Sequence, residues 1–284
     1  MNCPYGVKIP QPTIIPMKNS LLIFLLFLFP VSLFAQDYAM EQLENSPRHH
    51  EWVTIESNDR TLHNFVVYPE TSEKAPVVIV IHENRGLNIW ARSFADQLAA
   101  KGYIAVAPDL ISNTVDGIEK TSDFETSDAA RQAIYSLQPD HVTTDLQNVL
   151  AYAQTIEAGD GTIAVAGFCW GGSQSFRFAT NAGDAIDATF VFYGTGPDSA
   201  EAYASIEVPV YGFYGGNDER VNSTIPDSDA AMEEYGKTYK YEIYEGAGHA
   251  YMRSGDDPEK PADDPNVQAR NASWERLVNL LEAL

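Results

Sequence analysis

Residues 163–172 read Ile163-Ala164-Val165-Ala166-Gly167-Phe168-Cys169-Trp170-Gly171-Gly172, an apolar run that breaks into a glycine-flanked turn around one cysteine. Apolar residues without alternation are expected of a strand buried on both faces. A helix opening near Gly171 would make the segment a strand, a sharp turn and a helix. A nucleophile on such a turn is held in strained backbone geometry, and its side chain projects from the sheet edge. Gly167 and Gly171, two residues to either side, remove Cβ atoms that would collide there. The amide of Trp170 would then face an incoming carbonyl oxygen and could stabilise an oxyanion.

Outward from this turn, short apolar runs recur at 77–81, 103–107, 189–193, 208–214 and 239–244. Most lack alternation, as in a parallel sheet covered on both sides. Upstream, Val53-Thr54-Ile55 and Phe65-Val66-Val67-Tyr68 flank the turn-like Ser57-Asn58-Asp59 and read as two antiparallel N-terminal strands. Between the runs lie helical spacings. Val142, Leu146, Val149, Leu150, Ala153 and Ile156 mark one helix, with Asp140 as its expected cap, and Val267, Trp274, Leu277, Val278 and Leu281 mark another. Strands alternating with helices predict an α/β domain, a mostly parallel central sheet flanked by helices. The acidic, proline-containing stretch 255–265 reads as a solvated loop, and no repeat or linker divides the domain.

Two loops downstream complete a constellation. Asp218 follows the run at 208–214 in Gly215-Gly216-Asn217-Asp218, and His249 follows the run at 239–244 in Gly246-Ala247-Gly248-His249. The order nucleophile, acid, base, each beyond a strand, places all three at the carboxyl edge of the sheet, where open α/β folds build their sites. His249 would accept the thiol proton and later activate water, with Asp218 fixing its tautomer. A histidine-paired thiolate is a potent nucleophile at neutral pH. Ser173 and Ser175 rival Cys169 by residue type only, since they fall inside the following helix.

The start of the chain has a different character. Lys18 precedes an apolar run at 21–34 that ends in Ala35-Gln36, the pattern of a secretory signal peptide over residues 1–35, with cleavage after Ala35. Residues 36–284 then form the domain, periplasmic or secreted. An uncleaved anchor is the bland alternative, but the run is short for a span of about 20 residues. The chain carries a formal charge of −22, and losing the leader removes Lys8 and Lys18 but no acid. Such a field disfavours nucleic acid and anionic membranes. Of the two cysteines, Cys3 lies in the leader, so the mature protein keeps Cys169 alone and can form no internal disulfide.

Residues from about 50 to 284 resemble the dienelactone hydrolase family of the α/β-hydrolase fold. The matching segments are His82-Glu83-Asn84-Arg85-Gly86, Ala107-Pro108-Asp109-Leu110, the elbow from Gly167 to Gly172, the stretch from Gly215 through Asp218-Glu219-Arg220-Val221, and Gly248-His249-Ala250-Tyr251-Met252-Arg253. The resemblance implies a cysteine hydrolase of small esters or lactones, of carboxymethylenebutenolidase type. It implies that Glu83 hydrogen-bonds the resting cysteine and takes its proton when substrate arrives. It also implies that the backbone amide of Asn84 is a second oxyanion donor beside Trp170, although its side chain is polar where an apolar one is expected. Arg253 matches an arginine that binds a substrate carboxylate, and Arg131 is the candidate for a second. Arg253 could instead pair with Asp256 or Asp257, and Arg85 and Trp90 could line the pocket or cap a helix.

The expected partner is a small-molecule ester or lactone, with no cofactor, no metal, no nucleic acid, no membrane once the leader is gone, and a monomeric state. The adjacent His49-His50-Glu51 point to opposite strand faces and form no metal site. A general carboxylesterase or acyl hydrolase on the same fold is the alternative, and a non-catalytic binding protein a more distant one. Thiol redox sensing is disfavoured because no resolving cysteine exists.

Overall fold

A computed structural model of the chain describes residues 34–284. Eight strands form one sheet: β1 (His49–Ser57), β2 (Arg60–Tyr68), β3 (Ala75–Ile81), β4 (Ile104–Pro108), β5 (Gly159–Phe168), β6 (Ala188–Phe192), β7 (Val210–Gly215) and β8 (Tyr239–Tyr244). Their spatial order is β1-β2-β4-β3-β5-β6-β7-β8. β1 and β2 pair antiparallel, as does β2 with β4, and every later pairing is parallel. The first hairpin turns through Asn58 and Asp59, both with positive φ (51° and 57°), which suits the twist of a two-residue turn.

Nine helices are described: α1 (Phe34–Glu44), α2 (Ile89–Ala99), α3 (Ser127–Ser136), α4 (Pro139–Ala153), α5 (Trp170–Ala182), α6 (Glu219–Asn222), α7 (Ile225–Glu234), α8 (Tyr251–Ser254) and α9 (Pro265–Leu281). The lack of alternation in the strands has its cause here. Val78 and Val80 of β3 face a core shared with Phe94 and Leu98 of α2 and Trp274 and Leu277 of α9. Val77, Ile79 and Ile81 face a second core, with Leu146 and Val149 of α4, Phe176 of α5 and Met232 of α7.

Three sequence expectations need correction. β8 is an edge strand whose residues are largely exposed, so its apolar run is not buried on both faces. Asp140 does not cap α4, because Pro139 takes the first helical position and Gln138 the cap, leaving Asp140 in the first turn against the helix dipole. The stretch 255–265 is not wholly solvated. Asp256 is half-buried against Arg270 at 2.5 Å, and Asp264 caps α9 through the amides of Asn266 and Val267.

The expected leader lies outside the described residues apart from Phe34 and Ala35, which begin α1. That helix docks on α2 beside a buried carboxylate. Asp96 accepts from Ser46 Oγ (2.5 Å), from Arg48 Nε and Nη2 (2.9 and 2.6 Å), and meets His50 Nε2 at 2.7 Å. Burial works against the Asp96 charge, but the hydrogen bonds from Arg48, Ser46 and His50 outweigh it and hold its carboxyl below the ordinary range.

Candidate active site

The chain passes from β3 to β4 on one side and then crosses to β5 on the other, so β3 and β5 are neighbours whose connections diverge. A crevice opens outside the carboxyl ends of strands at such a point. Glu83 and Asn84 follow β3, Cys169 follows β5, Tyr193 follows β6, Asp218 follows β7 and His249 follows β8. The topology alone therefore gathers residues that lie far apart in the chain.

Cys169 is the cap residue of α5, with φ 56° and ψ −116°. Non-glycine residues rarely hold such a backbone, and strain of this kind persists only where the surroundings enforce it. They do so here through close backbone approach. A Cβ on Gly167 would strike the carbonyl of Gly171, and one on Gly171 would strike the carbonyls of Ile81 and His82. Gly172 is equally constrained, since a Cβ there would lie 2.5 Å from Phe192 O. The Cys169 amide itself donates to Phe192 O at 3.0 Å.

Around the sulfur, His249 Nε2 lies 3.0 Å from Sγ, and His249 Nδ1 lies 2.5 Å from Asp218 Oδ2. Asp218 is buried, so its carboxylate accepts from Nδ1 and leaves Nε2 free to accept from the thiol. The backbone amides of Trp170 and Asn84 both pull the thiol down, the effect of donors that favour negative charge on the sulfur. Burial, followed by the Glu83 charge, pushes the thiol up to about 11, against the pull of those amides and of Arg220. The resting sulfur is thus a protonated thiol.

The structure places Glu83 differently from the expectation. No hydrogen bond joins it to Cys169 among the described residues. Its buried carboxylate accepts from Tyr193 Oη at 3.2 Å and from Arg253 Nε at 2.8 Å. Tyr193, buried with φ 40°, also sets its ring edge-on to His249, with centroids 5.1 Å apart. Burial and then the Glu83 charge hold the Tyr193 phenol protonated, so it donates. Arg253 is committed to Glu83 and pairs with neither Asp256 nor Asp257. Arg131 sits on the exposed face of α3, paired with Asp128 at 3.2 Å, and does not line the cleft. Arg85 is exposed and also lies off the cleft. Trp90 packs in the core against Phe168, and α2 is capped by Asn88.

The cleft encloses about 510 Å³. α3 contributes its Tyr135, whose hydroxyl accepts from Asn84 Nδ2 at 3.0 Å. That bond accounts for the polar side chain at position 84: it ties the loop after β3 to α3. His82, buried and held neutral by that burial, accepts the Leu110 amide at Nε2 and bonds the Glu83 carbonyl through Nδ1. It also stacks on Trp170 at 5.6 Å, bracing both amide-bearing loops. Ser173, on the cleft wall, pairs with Thr195, and Ser175 with the Gly172 carbonyl, so neither hydroxyl bonds His249. Among the described residues no cluster suits a metal ion. His50 is taken by Asp96, and His49 lies 3.6 Å from Glu51.

Residues 62–284 match the model of the Dienelactone hydrolase family. The chain belongs to that family. As a dienelactone hydrolase family member it is 28% identical over 258 residues to a protein of Saccharolobus solfataricus named "Putative carboxymethylenebutenolidase", covering 81% of this chain and 96% of that one. It is 26% identical over 208 residues to the carboxymethylenebutenolidase of Pseudomonas putida, covering 72% and 86%. A dienelactone hydrolase-like promiscuous phosphotriesterase from metagenomic libraries shares the fold, with a TM-score of 0.68 at 22% identity over 84% of this chain and 98% of that one. Family and fold make this an ester or lactone hydrolase of small molecules.

Proposed function

We propose that the protein is an exported cysteine hydrolase of small esters or lactones, of carboxymethylenebutenolidase type, working as a monomer in the periplasm or outside the cell. One observation carries the chemistry: His249 Nε2 stands 3.0 Å from Cys169 Sγ, with Asp218 behind it at 2.5 Å. His249 takes the thiol proton as the sulfur attacks the carbonyl carbon, and the amides of Trp170 and Asn84 hold the oxyanion. Collapse breaks the ester C–O bond, the leaving oxygen receives the proton from His249, and an acyl-thioester remains. Water, deprotonated by His249, then attacks the thioester, releasing the acid and returning the thiol. Glu83 acts through space, keeping the idle sulfur protonated. Export rests on the signal-like residues 1–35.

A second reading, a general carboxylesterase, draws on the fact that Arg253 is paired with Glu83 and Arg131 lies off the cleft. A panel of 4-nitrophenyl esters run beside dienelactone separates the two. Cys169→Ala is expected to abolish turnover with folding intact, and iodoacetamide to inactivate in step with alkylation of Cys169. Turnover by the fully alkylated enzyme would sink the proposal.

A further inference from the structure

His82 follows β3 directly, is fully buried and does not line the cleft, so it cannot touch substrate. Its two ring nitrogens have separate partners. Nε2 lies 3.3 Å from the Leu110 amide, which can only donate, so the ring accepts there and carries its proton on Nδ1. Nδ1–H therefore donates to the Glu83 carbonyl at 2.8 Å. That carbonyl belongs to the same peptide unit as the Asn84 amide. The unit is trans and planar, with C=O and N–H pointing opposite ways, so whatever fixes the carbonyl also aims the amide. The amide so aimed is the one that, with Trp170, favours negative charge at the sulfur. Asn84 has a second tether, from Nδ2 to Tyr135 Oη at 3.0 Å, but that bond is exposed and water can replace it. The imidazole bond is buried, where no water stands in, so it decides how the peptide is turned. The same ring stacks on Trp170, with centroids 5.6 Å apart and planes 16° from parallel. One side chain thus supports both amides.

We infer that His82 is a positioning residue for the hydrolysis: in its Nδ1–H tautomer it holds the Glu83–Asn84 peptide with the N–H toward the oxyanion and the carbonyl away from it. The inference rests on the hydrolase reading for its chemistry and goes beyond it in naming what aims the second oxyanion donor. His82→Phe keeps the bulk of the ring and its stack on Trp170 but removes both hydrogen bonds. His82→Gln can still accept from Leu110 through Oε1 and donate to Glu83 through Nε2. In the full chain, His82→Phe is expected to lower kcat for a neutral 4-nitrophenyl ester by about 100- to 1000-fold with KM little changed, the loss of one oxyanion donor. His82→Gln should stay within about 10-fold of the native enzyme, the worth of one neutral hydrogen bond. Iodoacetamide reacts at a tetrahedral carbon and forms no oxyanion, so alkylation of Cys169 reports on the thiol, His249 and the elbow alone. In His82→Phe it should slow far less than turnover does. Stability falls whether or not the peptide turns, because the Leu110 amide and the Glu83 carbonyl lose a buried partner, so unfolding midpoints do not decide. Crystal structures of the native protein and His82→Phe do, and the variant should show the Glu83 carbonyl turned from its native direction.

Full turnover in His82→Phe, an equal fall in alkylation, a Gln variant as poor as the Phe one, or an unmoved Glu83–Asn84 peptide would each overturn the inference. If the native enzyme turns over no ester, the hydrolase reading fails separately, and the peptide's direction in the two crystal structures alone decides whether His82 positions it.

Discussion

Arg253 Nε and Glu83 Oε2 meet at 2.8 Å, joining the short helix beyond β8 to the loop beyond β3. The Glu83 charge raises the thiol, and neither member of the pair lines the cleft. Glu83→Gln keeps the shape but removes the charge. Its thiol is expected to ionise at lower pH than the native one, short of the ordinary value because burial remains. The pH dependence of iodoacetamide alkylation measures this, and an unmoved midpoint would refute the through-space role.

The raised thiol also has a stability consequence. Between the ordinary value of 9.0 and the folded value of about 11, the unfolded chain loses the Cys169 proton while the folded chain keeps it. The folded state then binds more protons, so stability falls as pH rises across that window, by on the order of 2 kcal/mol. Urea midpoints of native protein and Cys169→Ala should converge or cross between pH 9 and 11. Parallel curves would contradict the raised value. Comparing the two variants cancels the buried tyrosines, which titrate in both.

Asp96 gives the opposite sign. Its carboxyl is held below 3.8, so the stability it contributes is present above that value and is lost as pH falls through the folded one. Asp96→Ala leaves Arg48 half-buried without its main partner and should cost about 3–5 kcal/mol at neutral pH, read by urea unfolding. A loss under 1 kcal/mol would mean that the cluster around α1 and α2 is solvated.

Gly171→Ala tests the elbow sterically. The added methyl would press on the carbonyls of Ile81 and His82, which belong to backbone and cannot rotate away. A loss of about 3 kcal/mol or more is expected, together with loss of turnover, because the strand ends that carry the amides must part. A stable, active variant would show that the turn is looser than described.

Much of this was legible in the sequence for a physical reason. Strands covered on both faces lose their alternation, so 77–81 and 163–166 stand out as uninterrupted runs. The first four residues of β5 did not, because Gly159-Asp160-Gly161-Thr162 reads as a turn, and only pairing of Gly159 with Ala75 carries the ladder back that far. Within the site, Cys169, Asp218 and His249 were readable because each follows a strand, and the structure brings the three together. The partners of Glu83 were not, since Arg253 lies 170 positions away and local spacing offers it only Asp256 and Asp257. Tyr193 ends an apolar run and had the right position, but tyrosines there serve as core residues equally well.

His249 hangs from an edge strand of the sheet. β8 is hydrogen-bonded to β7 alone, its residues are largely exposed, and His249 follows it directly. Edge elements open at a lower free energy than the interior of a sheet. On gentle warming the imidazole should therefore drift from the sulfur while the two cores stay shut, and catalysis should fade before circular dichroism registers any melting. The same ordering holds during synthesis. On the proposed mechanism, a chain emerged only as far as β7 presents its sulfur with no base to arm it, so chemical competence is gained late and given up first.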